Sequence, residues 1–144
     1  MTRASNDLDS CALCGGAVPR VRTELTMPFP GREPAVVSRV LQKCTDCGEC
    51  YLSPDELDAV QRAAADIVRA REGLLAPEEI LAIRQSMRLS QAAFERLIGA
   101  GAKTVVRWER GTIFQSKVTD TLMRVLRAVP EAREFLAASA KVPA

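Results

Sequence analysis

Four cysteines in two closely spaced pairs are the residues of this chain best suited to chemistry. Cys11 and Cys14 form one pair, Cys44 and Cys47 form the other, and a glycine follows each pair. Two intervening residues let one tight turn aim both sulfurs at a single point, and two such knuckles supply four thiolates to a tetrahedral Zn²⁺. The spacing therefore predicts one structural zinc ion per chain. The glycine is expected to remove a Cβ where the backbone folds back past the metal.

Two alternatives to zinc use the same cysteines. Disulfides need an oxidising compartment, and the chain opens with the polar segment MTRASNDLDS instead of an apolar signal segment. Redox or iron–sulfur chemistry is the other alternative, although a thioredoxin-like pair needs one knuckle beside a βαβ pattern that this sequence lacks. We therefore favour zinc and a cytoplasmic location. Cys50 either replaces a ligand or packs as a small apolar residue, and the second interpretation is favoured because two knuckles already complete a tetrahedron.

Catalysis is not expected from these residues. Four thiolates fill the coordination sphere and leave no position for a water molecule. The chain contains no histidine, so an imidazole base and a Ser/His/Asp arrangement are both missing. The sequence therefore predicts a protein that is not an enzyme.

Size and charge indicate two small domains. The chain has 144 residues, of which 47% are hydrophobic, and no apolar run approaches the ~20 residues of a membrane span. A segment of about 50 residues needs a metal or another staple to fold, whereas the remainder can form an ordinary core. Residues 1–73 carry a net charge of −2 and residues 74–129 one of +4. A polyanion partner is therefore compatible with the second part only.

The predicted fold class is α+β, a zinc-ribbon-like β-hairpin followed by an all-α domain. Between the knuckles, AVPRVRTELTM and AVVSRVLQK alternate as strands do, around the turn segment PFPGREP. Ser53 and Glu56 predict a capped helix over 54–72, with Leu57, Val60, Ala64, Ile67 and Val68 as its apolar stripe. Further helices are predicted at 77–88, 91–98, 102–110, 117–128 and 130–138. The predicted organisation is a disordered segment 1–10, a zinc domain 11–73, a helical domain 74–138 and a frayed tail 139–144.

The segment SQAAFERLIGAGAKTVVRWERG, residues 90–111, predicts a helix-turn-helix. Ser90 is expected to cap the first helix, Gly99 to end it in the left-handed conformation, and the second helix to begin at about Ala102. In this motif the second helix enters the DNA major groove. The candidate DNA contacts are Gln91, Ala102, Lys103, Thr104, Arg107 and Arg110.

Five of these six residues have an assigned part. Lys103 and Arg107, four apart on one helix face, are suited to guanine edges, and Thr104 to a thymine methyl or a phosphate. Gln91 and Arg110 suit phosphates. A solvated charged face is the alternative for the same residues. Trp108 is expected in the core, and Glu109 is expected to orient a neighbouring arginine.

Taken together, these motifs resemble a known family. The helix-turn-helix segment is similar to the Cro/CI-type (Xre) motif, with its Ser-Gln opening and Trp-Glu-Arg-Gly close. With CALCGG and CTDCGE in front of it, almost the whole chain resembles the MqsA (YgiT-type) antitoxin family. The resemblance implies zinc at the four paired cysteines and base reading by Lys103 and Arg107. Lys103 replaces a base-reading asparagine of that family, so we expect a different operator sequence, and Cys50 is not part of the family pattern.

The resemblance implies a function in a bacterial toxin–antitoxin module. The zinc domain would bind the cognate toxin, and the helix-turn-helix domain would dimerise and repress its own operon. The candidate dimer surface lies on the C-terminal helices and consists of Leu122, Val125, Leu126, Val129, Phe135 and Leu136. Two alternatives remain: a stand-alone transcriptional regulator whose zinc domain senses metal, redox state or another protein, and an adaptor that binds proteins only.

Overall fold

The computed structural model describes residues 7–140 and divides into two compact units. The division falls between Val68 and Arg69, within the helix Pro54–Glu72 (α1). The sequence places the domain boundary slightly later, where that helix ends at Gly73. The predicted α+β class is confirmed, because a small antiparallel hairpin with all four paired cysteines precedes the helical part.

The first unit contains an antiparallel sheet of three strands in the order β1-β2-β3. The strands are β1 Arg20–Phe29, β2 Arg32–Lys43 and β3 Cys50–Tyr51. β1 and β2 form the predicted hairpin, which pairs from Arg20 opposite Gln42 to Phe29 opposite Arg32. The prediction that all of PFPGREP forms the turn is wrong, since only Pro30 and Gly31 separate the strands. Pro28 is tolerated because it lies in the edge strand β1, where the register shifts between Met27 and Phe29. Pro34 is tolerated because β3 pairs only with Gln42 and Lys43, so β2 at Pro34 has a partner strand on one side only. The short β3 was not predicted.

Helix α1 begins as the sequence predicts. The Glu56 backbone N–H donates to Ser53 Oγ at 3.2 Å, and the Ser53 N–H donates to the Glu56 carboxylate at 2.9 Å. These reciprocal bonds form a capping box. The buried apolar positions of the helix are Val60, Ala64, Ala65 and Val68. The predicted apolar stripe is too wide, because Leu57 is 43% exposed and Ile67 is 40% exposed.

The second unit is helical. Its helices are α2 Pro77–Ser86, α3 Gln91–Ile98, α4 Thr104–Arg110, α5 Lys117–Ala128 and α6 Pro130–Ala140. Three predicted boundaries differ. Helix α2 ends two residues early, before Arg88 takes a positive φ of 55°. Helix α4 begins at Thr104 instead of Ala102, because Lys103 adopts the left-handed conformation. Helix α6 continues to Ala140, past the predicted end at residue 138.

The helices enclose a contiguous apolar core. Its buried members are Leu75, Ile80, Ile83, Phe94, Leu97, Val105, Trp108, Met123 and Leu126. The prediction that Trp108 lies in the core is confirmed. Half of the candidate dimer surface also belongs to this core, since Leu126 is buried and Leu122 and Leu136 pack against it. The remaining candidates, Val125, Val129 and Phe135, are exposed.

The chain ends extend beyond the described residues. Of the predicted disordered segment 1–10, residues 1–6 lie outside them, whereas Leu8 exchanges two hydrogen bonds of 2.9 Å with the Gln42 side chain. Of the predicted frayed tail 139–144, residues 141–144 lie outside them and the rest continues α6. Within residues 7–140, no helix combines the length and the apolarity that a membrane span requires.

Candidate metal centre and nucleic-acid interface

The open end of the hairpin brings the two knuckles together. Beyond the last paired residues of β1 and β2, the Lys43 N–H donates to the Pro19 carbonyl and the Thr45 N–H donates to the Ala17 carbonyl, both at 3.0 Å. These bonds extend the ladder past the strands and into the knuckles. The hairpin thereby determines where each pair of sulfurs lies.

The two knuckles share one backbone design. The N–H of the first cysteine of each pair donates to the carbonyl five residues later, at 2.8 Å in both knuckles. The carbonyl of that cysteine accepts from Gly15 in one knuckle and from Gly48 in the other, at 2.9 and 3.1 Å. Both glycines have a positive φ, 77° and 79°, which disfavours residues with a Cβ.

Gly16 has a different role from Gly15. A Cβ on Gly15 or Gly48 would meet nothing within 4 Å, so the predicted steric reason for these two glycines is wrong and their φ is the reason. A Cβ on Gly16 would lie 2.5 Å from the Asp46 carboxylate and 3.0 Å from Cys44 Sγ. At Gly16 the backbone therefore passes too close to the opposite knuckle for a Cβ to fit without a shift.

The four paired sulfurs are positioned to hold a metal ion. They all lie within 4.8 Å of one another, with Cys11 Sγ 3.6 Å from Cys47 Sγ and Cys14 Sγ 3.4 Å from Cys44 Sγ. A Zn–S distance of about 2.3 Å separates the corners of a tetrahedron by about 3.8 Å, so the donor set fits zinc. A disulfide would need about 2.05 Å, and the five cysteines are free thiols. Cys50 does not belong to the cluster.

The four thiols differ in burial and acidity. Cys11 and Cys44 are buried, whereas the second cysteine of each knuckle is exposed. The Tyr51 hydroxyl lowers the pKa of the Cys11 thiol to about 6, and the Cys47 N–H lowers the pKa of Cys44. The Glu49 N–H lowers the pKa of Cys47, but the neighbouring sulfurs and burial outweigh it and raise this pKa to about 12. The second thiol of each knuckle holds its proton in the metal-free cluster, so metal binding must release protons and weakens as pH falls.

The helix-turn-helix consists of α3, α4 and the turn that joins them. The Ala93 N–H donates to Ser90 Oγ at 3.1 Å, which confirms Ser90 as the N-cap of α3. Gly99 ends α3 in the left-handed conformation with φ 75°, as predicted. Phe94 and Leu97 hold α3 on the core, while Val105 and Trp108 do so for α4. The two helices are therefore fixed by a shared apolar contact.

The start of α4 depends on a residue that the sequence analysis did not single out. Lys103, the N-cap residue, has φ 62° and its side chain caps no backbone N–H. The buried Glu95 of α3 takes that role, because its carboxylate accepts from the Val105 N–H at 2.9 Å. A carboxylate at a helix N-terminus is also favoured by the helix dipole. An acidic residue between the apolar residues Phe94 and Leu97 was the available sequence signal.

The predicted DNA-contact residues lie around α4. Ala102 is exposed and belongs to the turn, and the exposed Lys103 precedes the helix, so the prediction that both are helical is wrong. Thr104 is half-buried, and Arg107 and Arg110 are exposed on the helix. The structure thus brings these predicted residues to one short segment, with the basic side chains on the surface.

Glu109 orients an arginine, and that arginine is Arg84 of α2. The Arg84 guanidinium donates to both Glu109 carboxylate oxygens, at 2.7 and 3.0 Å, and Glu109 raises the pKa of Arg84. The Gln91 amide donates to the same carboxylate at 3.0 Å. The sequence analysis assigned the Gln91 side chain to phosphate. In the structure, its amide nitrogen is held against α4 by the bond to Glu109.

Arg69 of α1 contacts the other end of α4. This buried arginine donates to the Gly111 carbonyl at 3.2 Å, and its guanidinium lies 4.9 Å from the Phe114 ring centre. Gly111 is the C-cap residue of α4. Glu95 and Arg69 therefore fix the two ends of the candidate recognition helix.

The fold and the site define a class: a hairpin unit whose four cysteines are positioned to hold a metal ion, joined to a helix-turn-helix unit. The chain belongs to the family described as the antitoxin component of a bacterial toxin–antitoxin system, MqsA, which matches residues 9–136. That family is one of antitoxins and not of enzymes. The chain is 27% identical to Antitoxin MqsA of Escherichia coli (strain K12) over 84% of its own length and 94% of that protein. It is also 29% identical to Antitoxin HigA-2 of Vibrio cholerae serotype O1 over 44% of its length and 61% of that protein.

Proposed function

We propose that this antitoxin binds its cognate toxin through the zinc-binding hairpin unit and represses its own operon as a dimer through the helix-turn-helix. The observation that carries the proposal is the combination of a four-thiol cluster and an exposed basic helix in one member of an antitoxin family. Co-expression with the product of the neighbouring gene tests it. This chain should relieve the growth arrest that the neighbouring gene product causes, and the two proteins should co-purify as a complex. Repression without either result would favour a stand-alone regulator.

Zinc is the metal that the thiol cluster suits. Four soft sulfur donors at these separations match the tetrahedral preference of Zn²⁺, and a closed set of four thiolates is typical of a structural site. Metal analysis of protein purified under reducing conditions should find one zinc per chain. If the analysis finds iron and no zinc, the iron–sulfur interpretation of the cluster would be favoured over the zinc interpretation.

DNA reading is assigned to Lys103 and Arg107. Arg107 lies exposed on α4, and Glu95 and Arg69 hold that helix at both ends. An arginine paired with a guanine edge contributes about 1–3 kcal/mol of discrimination. Arg107→Ala should therefore weaken operator binding and relax discrimination at one base pair of each half-site. Arg62→Ala, which removes an equal charge from an exposed residue of the first unit, is the control and should leave the gel shift unchanged.

Gln91, Thr104 and Arg110 are assigned to the DNA backbone. Contacts with phosphate fix register without reading sequence, so their loss weakens binding to all sequences alike. Arg110→Ala and Gln91→Ala should reduce affinity for operator and scrambled DNA by the same factor. Loss confined to the operator would move the residue into the base-reading group.

Dimerisation is assigned to the exposed apolar residues of α5 and α6. One short recognition helix makes few base contacts, so two half-sites about one helical turn apart are needed for useful specificity. Phe135 is 71% exposed, and Val118, which the sequence analysis did not name, is 80% exposed. Phe135→Asp should yield a monomer in sedimentation with an intact fold. A variant that remains dimeric would place the interface elsewhere.

The division of labour is testable in the full chain with reciprocal variants. Cys44→Ser disrupts the metal cluster, so toxin binding should fail while operator binding persists. Arg107→Ala should show the opposite pattern. A toxin pull-down and an operator gel shift on both variants decide the matter, and toxin binding that survives Cys44→Ser would assign it to the second unit.

A further inference from the structure

Tyr51, the chain's single tyrosine, lies beside the cysteine cluster without belonging to the predicted ligand set. It is part of β3 and packs, half-buried, against the small apolar cluster of Cys11, Val18 and Cys44. Its hydroxyl oxygen lies 3.1 Å from Cys11 Sγ and 3.1 Å from the Ala12 backbone nitrogen. The hydroxyl thus contacts both a predicted ligand and the turn that carries this ligand.

Chemistry settles the direction of the two hydrogen bonds. The Ala12 N–H can only donate, so the Tyr51 oxygen accepts from it. A metal-bound cysteine is a thiolate without a proton, so the Tyr51 O–H must donate to the Cys11 sulfur. A hydroxyl that accepts one hydrogen bond is polarised and donates the next one more strongly. The chain Ala12–Tyr51–Cys11 is therefore cooperative.

The second knuckle receives comparable help from its backbone. Cys44, the other buried sulfur, accepts from the Asp46 N–H at 3.4 Å. Each buried sulfur therefore has a donor, a side-chain O–H for Cys11 and a backbone N–H for Cys44. Only the first of these donors can be removed by substitution without changing the backbone.

We propose that Tyr51 is a positioning residue of the metal centre, which donates a hydrogen bond to the Cys11 sulfur and fixes the first knuckle for metal binding. This inference rests on the metal centre of the proposed function. Donors outside the ligand set orient ligands and tune the metal, and their removal typically costs about 10–100-fold in metal affinity. Because Tyr51 contacts one ligand of four, the lower end of that range is expected.

Tyr51→Phe is the informative variant, because phenylalanine keeps the ring and removes both hydrogen bonds. Co²⁺ is the probe, since its thiolate-to-metal charge-transfer band reports the electron density on sulfur. A hydrogen bond stabilises the sulfur lone pairs, so its loss should move the band to lower energy. Competition with a chelator should show Zn²⁺ affinity reduced by about tenfold.

Two control variants separate hydrogen bonding from packing. Val18→Ala removes apolar contacts from the same cluster and no donor to sulfur, so affinity can fall while the Co²⁺ band stays in place. Cys50→Ser changes the neighbour of Tyr51 in β3 and should alter neither quantity. A band that does not move in Tyr51→Phe, or that moves as far in Val18→Ala, would overturn the proposal.

The wild-type protein provides an independent measurement. Because Tyr51 is the only tyrosine, zinc titration should produce a red-shifted tyrosine difference spectrum that saturates at one metal per chain. Zinc binding without this spectrum would refute the role of Tyr51 and leave the metal centre intact. No uptake of Zn²⁺ or Co²⁺ by the wild-type chain would instead refute the metal centre and this inference with it.

Discussion

The two units of this antitoxin hold their folds together in different ways. In the first unit, the largest fully buried apolar side chain is Leu41. The other buried apolar residues of this unit are valines, alanines and the cysteines Cys11 and Cys44. In the second unit, nine buried residues that include Phe94, Trp108 and Met123 form one cluster. The second unit therefore buries the large side chains that stabilise ordinary domains, and the first does not.

This difference indicates a folding role for a metal ion held by the four cysteines. A small hairpin without a large core needs a staple, and the sulfur cluster lies at the end of the hairpin where the ladder between the strands finishes. Structural zinc sites contribute about 10–16 kcal/mol of apparent binding free energy, which is also folding free energy. The first unit should therefore depend on metal and the second on packing.

The largest expected effect is that of Cys44→Ser. Loss of one of four ligands should abolish metal binding and unfold the first unit, because the binding energy exceeds what so small a core can replace. Metal analysis and amide NMR of residues 7–68 check the outcome. Cys50→Ser, outside the cluster, should retain one metal per chain, and a folded hairpin in Cys44→Ser would contradict the metal's folding role.

The corresponding prediction for the core of the second unit concerns Phe94→Ala. Removing this fully buried ring should destabilise the second unit by about 3–5 kcal/mol, through lost burial and a cavity, and should leave metal content unchanged. Denaturant unfolding followed by Trp108 fluorescence measures it. Arg96→Ala, at an exposed position of the same helix α3, is the matched control and should change stability by about 0.5 kcal/mol or less. Equal effects of the two changes would show that no such core exists.

Adjacent glycines sharpen the comparison within the first unit. Gly16→Ala should weaken metal binding by about 1–3 kcal/mol, because its Cβ would press on Cys44 Sγ at 3.0 Å. Gly15→Ala should instead strain a residue with φ 77°, at a cost of about 1–2 kcal/mol in folding stability. Chelator competition and thermal unfolding separate the two effects. Identical losses of metal affinity would remove the distinction.

The smallest effect is expected at the start of α4. Lys103→Asn should stabilise the second unit by about 0.5–1 kcal/mol, because asparagine tolerates the left-handed conformation that lysine holds there at φ 62°. Arg88→Asn, at the other non-glycine residue with positive φ among residues 7–140, should stabilise comparably. Operator selectivity should change with Lys103→Asn, and unchanged selectivity would remove Lys103 from the base-reading residues.

Local sequence signals predicted much of this fold. Ser53, Ser90 and Gly99 mark helix ends through their own side chains or backbone, and the structure contains each of these caps. The alternating strands and the two knuckles likewise depend on near neighbours in sequence. Two of the three helix ends that were placed wrongly are at Arg88 and Lys103, where a residue without a common capping role takes a positive φ.

Contacts between distant segments were not predictable in the same way. Glu95 caps α4 across the turn, Arg69 reaches Gly111 42 residues away, and Tyr51 reaches Cys11 40 residues away. Gly16 matters because the opposite knuckle approaches it. Each of these roles arises from tertiary packing, which spacing along the chain does not encode.

Metal removal from the intact 144-residue chain tests the difference between the units most directly. The single tryptophan, Trp108, reports the second unit, and amide hydrogen exchange of β1 and β2 reports the first. Chelation should abolish the protection of the hairpin amides and leave the Trp108 thermal transition at its original temperature. Loss of both signals together, or protection that survives complete metal removal, would contradict the metal's assigned role in folding the first unit alone.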